Sequence, residues 1–106
     1  MATLPTVTDA TFDEAVQGAG TPVLVDFTAA WCPPCRAMKP VLEEFAAGRP
    51  DLRVVQVDVD ESASTAARYG VLSMPTFVLF RGGAPIATLV GARPRRRLER
   101  EVDAAL

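Results

Sequence analysis

Apolar residues form two kinds of pattern along the chain, short continuous runs and longer stretches spaced by three and four. A continuous run predicts a strand buried on both faces, whereas the spaced pattern predicts a helix with one apolar face. On this basis we predict strands at residues 22–27, 52–59, 76–80 and 86–90. We predict helices at residues 11–17, 34–47, 62–69 and 94–106.

The order of these elements predicts a mixed sheet covered by helices on both faces. Strand and helix alternate at first, which is typical of parallel strands. The last two strands are joined at residues 81–83 by a glycine turn that suits an antiparallel hairpin. The fold class is therefore α/β. No linker or repeat divides the 106 residues, so a single domain is expected over residues 1–106.

Two local features concern the helices. Pro40 lies inside the predicted helix 34–47, and because the apolar spacing continues beyond it, we expect a kink rather than an end. Thr8 and Asp9 stand just before the first helix and are candidate N-caps. These residues predict where the two helices bend and begin.

Composition and charge exclude several kinds of partner. The chain is 49% hydrophobic and 23% charged, a balance typical of globular proteins. Its net charge of -2 provides no positive field that would attract nucleic acid. The N-terminus has no basic stretch followed by an apolar segment, and the apolar runs are too short to cross a bilayer. We therefore expect a cytoplasmic monomer with no nucleic-acid or membrane partner.

The chain has two cysteines, Cys32 and Cys35, and no histidine. Without an imidazole it cannot form a Cys-His pair, a Ser-His-Asp triad or a Cys2His2 zinc site. Two thiols also cannot build the multi-bridge framework of a secreted mini-protein. Redox chemistry remains, with two alternatives: a structural pair of buried thiols, or a metal shared between two chains through four thiolates.

Cys32 lies where a predicted strand has ended and a helix begins. Unpaired N–H groups and the positive end of the helix dipole favour a thiolate, so we expect the pKa of an exposed Cys32 thiol to be lowered. Cys32 is then the nucleophile, and Cys35, one turn away, is the thiol that resolves a mixed disulfide. Trp31 precedes the pair in a loop that should be exposed, where its ring would form a contact surface.

Asp26 is the only charge in the apolar run 22–27. Burial raises the pKa of a carboxyl group toward neutrality, which is the range that a general acid or base needs. The alternative is a carboxylate that is hydrogen-bonded to nearby backbone and has no catalytic role. Met74-Pro75-Thr76 precedes a strand, where proline is ordinary punctuation, so it is a weak signal on its own.

Taken together, these motifs resemble the thioredoxin family in their order and spacing over nearly the whole chain. The matching segments are Val25-Asp26-Phe27, Trp31-Cys32 with Pro34-Cys35, Pro40, Tyr69-Gly70-Val71, Met74-Pro75-Thr76 and Val90-Gly91-Ala92. The resemblance implies a thioredoxin fold with a central mixed five-stranded sheet flanked by four helices. It also implies a thiol-disulfide oxidoreductase that acts as a general reductant of protein disulfides.

The resemblance assigns roles residue by residue. Cys32 attacks the target disulfide, and Asp26, beneath the pair, accepts or relays the proton when Cys35 resolves the intermediate. Pro75 is implied to be cis and to pack against the disulfide, while the backbone before it pairs with extended substrate. Active-site support is implied for Trp31, Pro33, Pro34 and Pro75. The implied substrate-binding rim is Trp31, Val59, Ser73, Met74, Pro75, Gly91 and Ala92.

The resemblance also implies partners. The chain has no dinucleotide-binding glycine motif, so the flavin and NADPH that supply electrons would belong to a thioredoxin reductase. Disulfide-containing proteins are the implied substrates. We expect no cofactor and no metal on this chain, only a redox-active disulfide between Cys32 and Cys35.

Three residues depart from the family pattern. The usual Cys-Gly-Pro-Cys has Pro33 in place of its glycine, and this stiffening should shift the reduction potential in a direction that the sequence does not fix. Gln56 replaces a lysine beside the aspartate, so we expect the pKa of Asp26 to lie higher than in the family. Thr28 replaces a tryptophan, which predicts a wetter, looser site. Activity should persist, because the N–H groups of Cys35 and Arg36 would remain available to the Cys32 sulfur.

The resemblance does not extend to the basic run Arg93-Pro94-Arg95-Arg96-Arg97. A charge block this short is typically a solvated face, and the alternative is a docking patch for an acidic partner. Two alternatives to a general reductant also remain open. One is a redox-silent binding or chaperone-like module, and the other is an oxidant or isomerase of disulfides.

Overall fold

A computed structural model describes residues 4–106 of the chain. Its helices are α1 (Phe12–Gln17), α2 (Pro33–Ala47), α3 (Ala63–Arg68) and α4 (Arg95–Ala105). Its strands are β1 (Val23–Thr28), β2 (Arg53–Asp58), β3 (Thr76–Arg81) and β4 (Ala84–Val90). Each predicted element is present, with its ends displaced by at most two residues. No helix in the described range is both long and apolar enough to cross a membrane.

The strands form one mixed sheet in the order β2-β1-β3-β4. β1 pairs with β2 in parallel and with β3 antiparallel, and β3 pairs with β4 antiparallel, as the predicted alternation and hairpin require. Residues 4–106 contribute four strands rather than the five expected. The prediction of a fifth strand is wrong for this range.

The N-terminal segment makes only a single bridge to the sheet, between Thr6 and Gln56. Two backbone hydrogen bonds flank it, from Gln56 N–H to Pro5 and from Val7 N–H to Gln56, each at 2.9 Å. Pro5 has no N–H with which to extend the pairing, and the chain turns at residues 9–11. The segment therefore covers the edge of β2 without becoming a strand.

The β3–β4 hairpin closes through Gly82 and Gly83, as predicted. Both glycines have positive φ, at 60° and 81°, which a two-residue hairpin turn with the right-handed strand twist requires. At Gly83 a Cβ would lie 2.9 Å from Cγ of Gln17, so the turn also packs closely against the end of α1. β4 is an edge strand and contains Pro85, next to a register shift between Leu79 and Phe80.

Two apolar layers lie on the two faces of the sheet. The first includes Leu24 of β1, inward residues of α2 and Leu98 of α4. The second includes Phe27 of β1, Phe12 of α1 and residues near α3. Because side chains alternate along a strand, Asp26 points to the same face as Leu24, toward α2. This alternation places the only charged residue of β1 inside the first layer.

The helix ends differ from the prediction at α1. Thr11, not Thr8 or Asp9, is the N-cap residue, and the Thr8 N–H donates to Oγ1 of Thr11 at 3.0 Å. The Asp9 carboxylate instead accepts hydrogen bonds from the N–H and the hydroxyl of Thr65 in the first turn of α3. The predicted N-caps are therefore wrong, since a tertiary contact captures Asp9. α2 continues through Pro40, as expected.

Candidate redox site

Cys32 is the N-cap residue of α2. Its extended backbone, with φ -98° and ψ 108°, places Pro33 at the first helical position, where a missing N–H is harmless. The Cys35 N–H donates to the Cys32 sulfur at 3.3 Å. The Arg36 N–H donates to the backbone carbonyl of Cys32, at 3.2 Å, and not to its sulfur. One of the two expected backbone donors therefore faces the sulfur.

Cys32 and Cys35 are joined by a disulfide, with their Cα atoms 5.3 Å apart. Cys32 is 3% exposed and Cys35 is 1% exposed. The expectation of an exposed Cys32 is therefore wrong, because Val59 and Met74 pack against the small cluster that the two cysteines form with Ala29. Cys32 is still the more accessible of the two sulfur-bearing residues.

The loop before β3 lies against the disulfide. The Met74–Pro75 peptide bond is cis, and the Met74 carbonyl oxygen lies 3.6 Å from the Cys32 sulfur, so a Cys32 thiol can donate to it in the dithiol state. The Thr76 hydroxyl donates to the Ser73 carbonyl at 2.6 Å. These contacts hold the loop in one position next to Cys32.

Several of the predicted rim residues meet at this loop. The Gly91 N–H donates to the Pro75 carbonyl at 2.9 Å, which joins the end of β4 to the cis-proline loop. Ala92, which follows Gly91, is exposed, as are Ser73, Pro33 and Pro34. Gly91 has a φ of 97°, a left-handed conformation that favours glycine.

Trp31 is exposed, as expected, with 62% of its area accessible. Its Nε1–H donates to Oδ2 of Asp60 at 2.8 Å, a partner that the sequence did not reveal. Leu72 was also missed, although it is 94% exposed in the loop before Met74. An apolar residue outside every predicted element is the signal that could have identified Leu72.

Asp26 is 1% exposed, and neither carboxylate oxygen has a hydrogen-bond partner within residues 4–106. The alternative of a carboxylate bonded to backbone is therefore wrong for the described part of the chain. Burial raises the pKa of Asp26 to about 7, while the positive charge of Lys39 lowers it. A carboxyl group with this pKa exchanges a proton readily near neutral pH.

Gln56 lies directly opposite Asp26 in the register of β1 and β2, and its Nε2 donates to the Thr6 hydroxyl at 3.2 Å. Lys39, from α2, is the only lysine in the chain. An open cleft of about 180 Å³ is lined by Thr28, Lys39 and Gln56 together with other residues. The expectation that Thr28 leaves this side loosely packed is consistent with the cleft.

The basic run does not behave as a uniform solvated face. Arg93 is buried and binds Glu101 at 2.7 Å, whereas Arg95 is exposed and binds Glu99 at 3.0 Å. Arg97 shares Glu101 with Arg93, at 3.2 Å. The prediction of a solvated face is therefore wrong for Arg93, because Glu101 of α4 and two nearby backbone carbonyls bind its side chain.

The cysteine pair at the start of a helix, on a mixed sheet and beside a cis-proline loop, defines a thiol-disulfide oxidoreductase. The sequence profile of the thioredoxin family matches residues 3–104. The chain is 50% identical to a thioredoxin of Alicyclobacillus acidocaldarius over 98 residues, covering 92% of both chains. It is 47% identical to a thioredoxin of Mycolicibacterium smegmatis over 103 residues, covering 94% of this chain and 92% of the other.

The chain is also 44% identical to thioredoxin 1 of Synechococcus elongatus over 104 residues, which cover 97% of both chains. The chain belongs to the thioredoxin family. It has the thioredoxin fold and acts as a protein-disulfide reductase, with disulfide-containing substrates and a reductase as the family's general partners.

Proposed function

We propose that Cys32 and Cys35, in the sequence Cys-Pro-Pro-Cys, carry the reduction. The Cys32 thiolate attacks one sulfur of the substrate disulfide, forms a mixed disulfide and releases the other sulfur as a thiolate. Cys35 then attacks the Cys32 sulfur and breaks the mixed disulfide. The substrate leaves with two thiols, and its two electrons come from the cysteine pair, which ends as the Cys32–Cys35 disulfide.

The hydrogen bond from the Cys35 N–H to the Cys32 sulfur is the observation that carries this assignment. A donor at a helix N-terminus stabilises a thiolate relative to a thiol, and Cys32 is the more accessible of the pair. Cys35 is buried on the inward face of α2, where an incoming substrate cannot reach it first.

Asp26 is the proposed base for Cys35. Asp26 on β1 and Cys35 on α2 are both buried, and the pKa of about 7 allows Asp26 to accept a proton from the resolving thiol at neutral pH. Lys39, whose charge acts on Asp26, and Gln56, which lies opposite Asp26 in the sheet, both line an open cleft, and we infer that the proton reaches solvent through it.

The proposed substrate-binding rim consists of Trp31, Val59, Ser73, Met74, Pro75, Gly91 and Ala92. Met74 lies outside β3, so its backbone is free of the sheet ladder and suits main-chain pairing with an extended substrate. The exposed side chains of Trp31 and Leu72 add apolar area for the substrate's side chains.

Re-reduction would come from a thioredoxin reductase that holds flavin and NADPH, with no cofactor or metal bound to this chain. The cytoplasm suits this cycle, because that compartment keeps thiols reduced. A monomeric single domain is sufficient for it, since the proposed residues all come from one chain.

The test is insulin reduction with dithiothreitol as electron donor. The wild type should accelerate it, and Cys32→Ser should abolish the acceleration. Pre-reduced Cys35→Ser, freed of dithiothreitol, should accumulate a covalent adduct with insulin. Full activity of Cys32→Ser would overturn the nucleophile assignment. Visible absorbance and metal content that depend on both cysteines would instead support a shared metal, and function of the double serine variant in cells would support a redox-silent module.

The direction of the reaction in the cell is tested by the reduction potential. We propose that the pair is poised as a reductant, since a family reductase regenerates the dithiol. A potential as high as that of strong disulfide oxidants, near -120 mV on the general scale of about -270 to -120 mV, would favour the oxidant or isomerase alternative.

A further inference from the structure

Arg93 has a buried side chain, with 3% of its area exposed. Burying a guanidinium group is unfavourable unless its N–H groups find acceptors. Nε donates to the Gly91 carbonyl at 3.1 Å, and Nη2 donates to the Val90 carbonyl at 2.6 Å. Nη1 donates to Oε1 of Glu101 on α4 at 2.7 Å. The side chain therefore joins the end of β4 to α4.

The geometry depends on an arginine. Three separate nitrogens of one planar group bind two backbone carbonyls and one carboxylate at the same time, which a lysine ammonium cannot reproduce. Arg93 also lowers the pKa of Glu101, so the carboxylate stays ionised at neutral pH and compensates the buried positive charge. Packing alone does not explain this arrangement, since an apolar side chain would fill the space without the cost of burying a charge.

The segment that Arg93 holds is connected to the redox site. Arg93 binds the carbonyl of Gly91, and the N–H of Gly91 donates to the Pro75 carbonyl at 2.9 Å. The residue before Pro75, Met74, places its carbonyl oxygen 3.6 Å from the Cys32 sulfur. Contacts at hydrogen-bond or near hydrogen-bond distance therefore run from the buried guanidinium to the disulfide.

We propose that Arg93 is a positioning residue for polypeptide substrates. It fixes the Val90–Gly91 backbone and, through Pro75, the orientation of the Met74 backbone that pairs with an extended substrate. This inference rests on the proposed substrate-binding rim. Because Arg93 does not touch the reacting sulfurs, its loss weakens the docking of a polypeptide and leaves the attack of Cys32 on a small disulfide unchanged.

The test compares Arg93→Leu and Arg93→Lys with Arg95→Leu as the matched control. Arg95 belongs to the same run and binds a glutamate, but it makes no hydrogen bond to the rim. Pre-reduced protein is mixed with increasing insulin, and the half-saturating insulin concentration and the limiting rate are measured in a single turnover. Reduction of the small disulfide 5,5′-dithiobis(2-nitrobenzoate) is measured in parallel.

Both Arg93 variants should raise the half-saturating insulin concentration about fivefold, which is the effect of about 1 kcal/mol of lost coupling. The rate with the small disulfide should stay at the wild-type value, and Arg95→Leu should change neither quantity. Hydrogen exchange at the Gly91 amide should be faster in the Arg93 variants. Arg93→Lys serves as the test if Arg93→Leu does not fold.

Two outcomes would overturn the proposal. One is an unchanged half-saturating insulin concentration in folded Arg93 variants, and the other is an equal loss with insulin and with the small disulfide, which indicates general structural damage. Gly91→Ala distinguishes a failure of the role proposed for Arg93 from a failure of the proposed substrate-binding rim. If it weakens insulin binding while the Arg93 variants do not, only the role of Arg93 is wrong; if neither weakens it, the proposed rim itself is wrong.

Discussion

Lys39 on α2 lowers the pKa of Asp26 on β1 against the rise that burial causes. The residue opposite Asp26 on β2 is Gln56, whose side-chain amide donates to Thr6 and supplies no charge. Gln56 removes the cation that the family places at this position, and the sequence did not show that Lys39 of α2 supplies another. With a pKa of about 7, the protonated and ionised forms of Asp26 are both populated near neutral pH.

Asp26→Asn is expected to stabilise the protein at high pH much more than at low pH. Burial raises the pKa of Asp26 from 3.8 to about 7, so the folded state keeps a proton that the unfolded state releases between these values. Wild-type stability therefore falls as the pH rises through this window, by about 4 kcal/mol in total. Urea unfolding at pH 4 and pH 8 should show the advantage of the variant growing by about this amount; a constant advantage would contradict the assignment.

Lys39→Met is expected to raise the pKa of Asp26 further, because it removes the cation that favours the carboxylate. Gln56→Lys is expected to lower it, since the new ammonium would lie opposite Asp26 in the sheet. Carboxyl NMR titration of Asp26 measures both shifts. Arg53→Met, which removes an exposed cation at the start of β2, is the control and should leave the pKa of Asp26 unchanged.

Pro33→Gly is expected to lower the free energy of unfolding by about 1 kcal/mol, because glycine gives the unfolded chain more freedom than proline. The same loosening between the cysteines should change the reduction potential, which a glutathione titration measures. Pro50→Gly, in an exposed turn, is the matched control and should lower stability without altering the potential. Identical potentials for wild type and Pro33→Gly would refute the role of Pro33 in redox tuning.

The two turn glycines should respond differently to substitution. Gly82→Ala should cost about 1 kcal/mol for its positive φ alone, since nothing lies within 4 Å of the added methyl group. Gly83→Ala should cost more, because its methyl group would also meet Cγ of Gln17 at 2.9 Å. Thermal unfolding of both variants measures the difference. Equal losses would show that the Gln17 side chain moves aside freely.

The elements and the redox pair could be predicted because their signals are local. Continuous apolar runs identify strands buried on both faces, and the position of Cys32 between a strand and a helix is readable from the sequence. Asp26 stands out for the same reason, since a lone charge in such a run demands an explanation. The family resemblance added the cis Met74–Pro75 bond, which the sequence alone signalled only weakly.

The relationships that were missed depend on how distant elements meet. Arg93 is buried because tertiary folding brings two backbone carbonyls and Glu101 to it, and no sequence pattern records those acceptors. Lys39 influences Asp26 only once α2 packs on β1. Cys32 is buried partly because Met74 of the cis-proline loop, 42 positions away in the chain, packs against the cysteine cluster. The fifth strand was expected from the family and not from any apolar run.

The arrangement at the two edges of the sheet has a consequence for association. The N-terminal segment bonds to both the N–H and the carbonyl of Gln56 on β2, and on the other edge Pro85 and the adjacent register shift interrupt the regular ladder of β4. Exposed strands with regular free edges recruit other chains and start aggregation, and both features hinder such recruitment. If substrates dock at Met74 as proposed, polypeptide backbones can pair with this protein at the cis-proline loop but not along its sheet edges. Backbone pairing is then confined to the loop that lies beside the reactive sulfur.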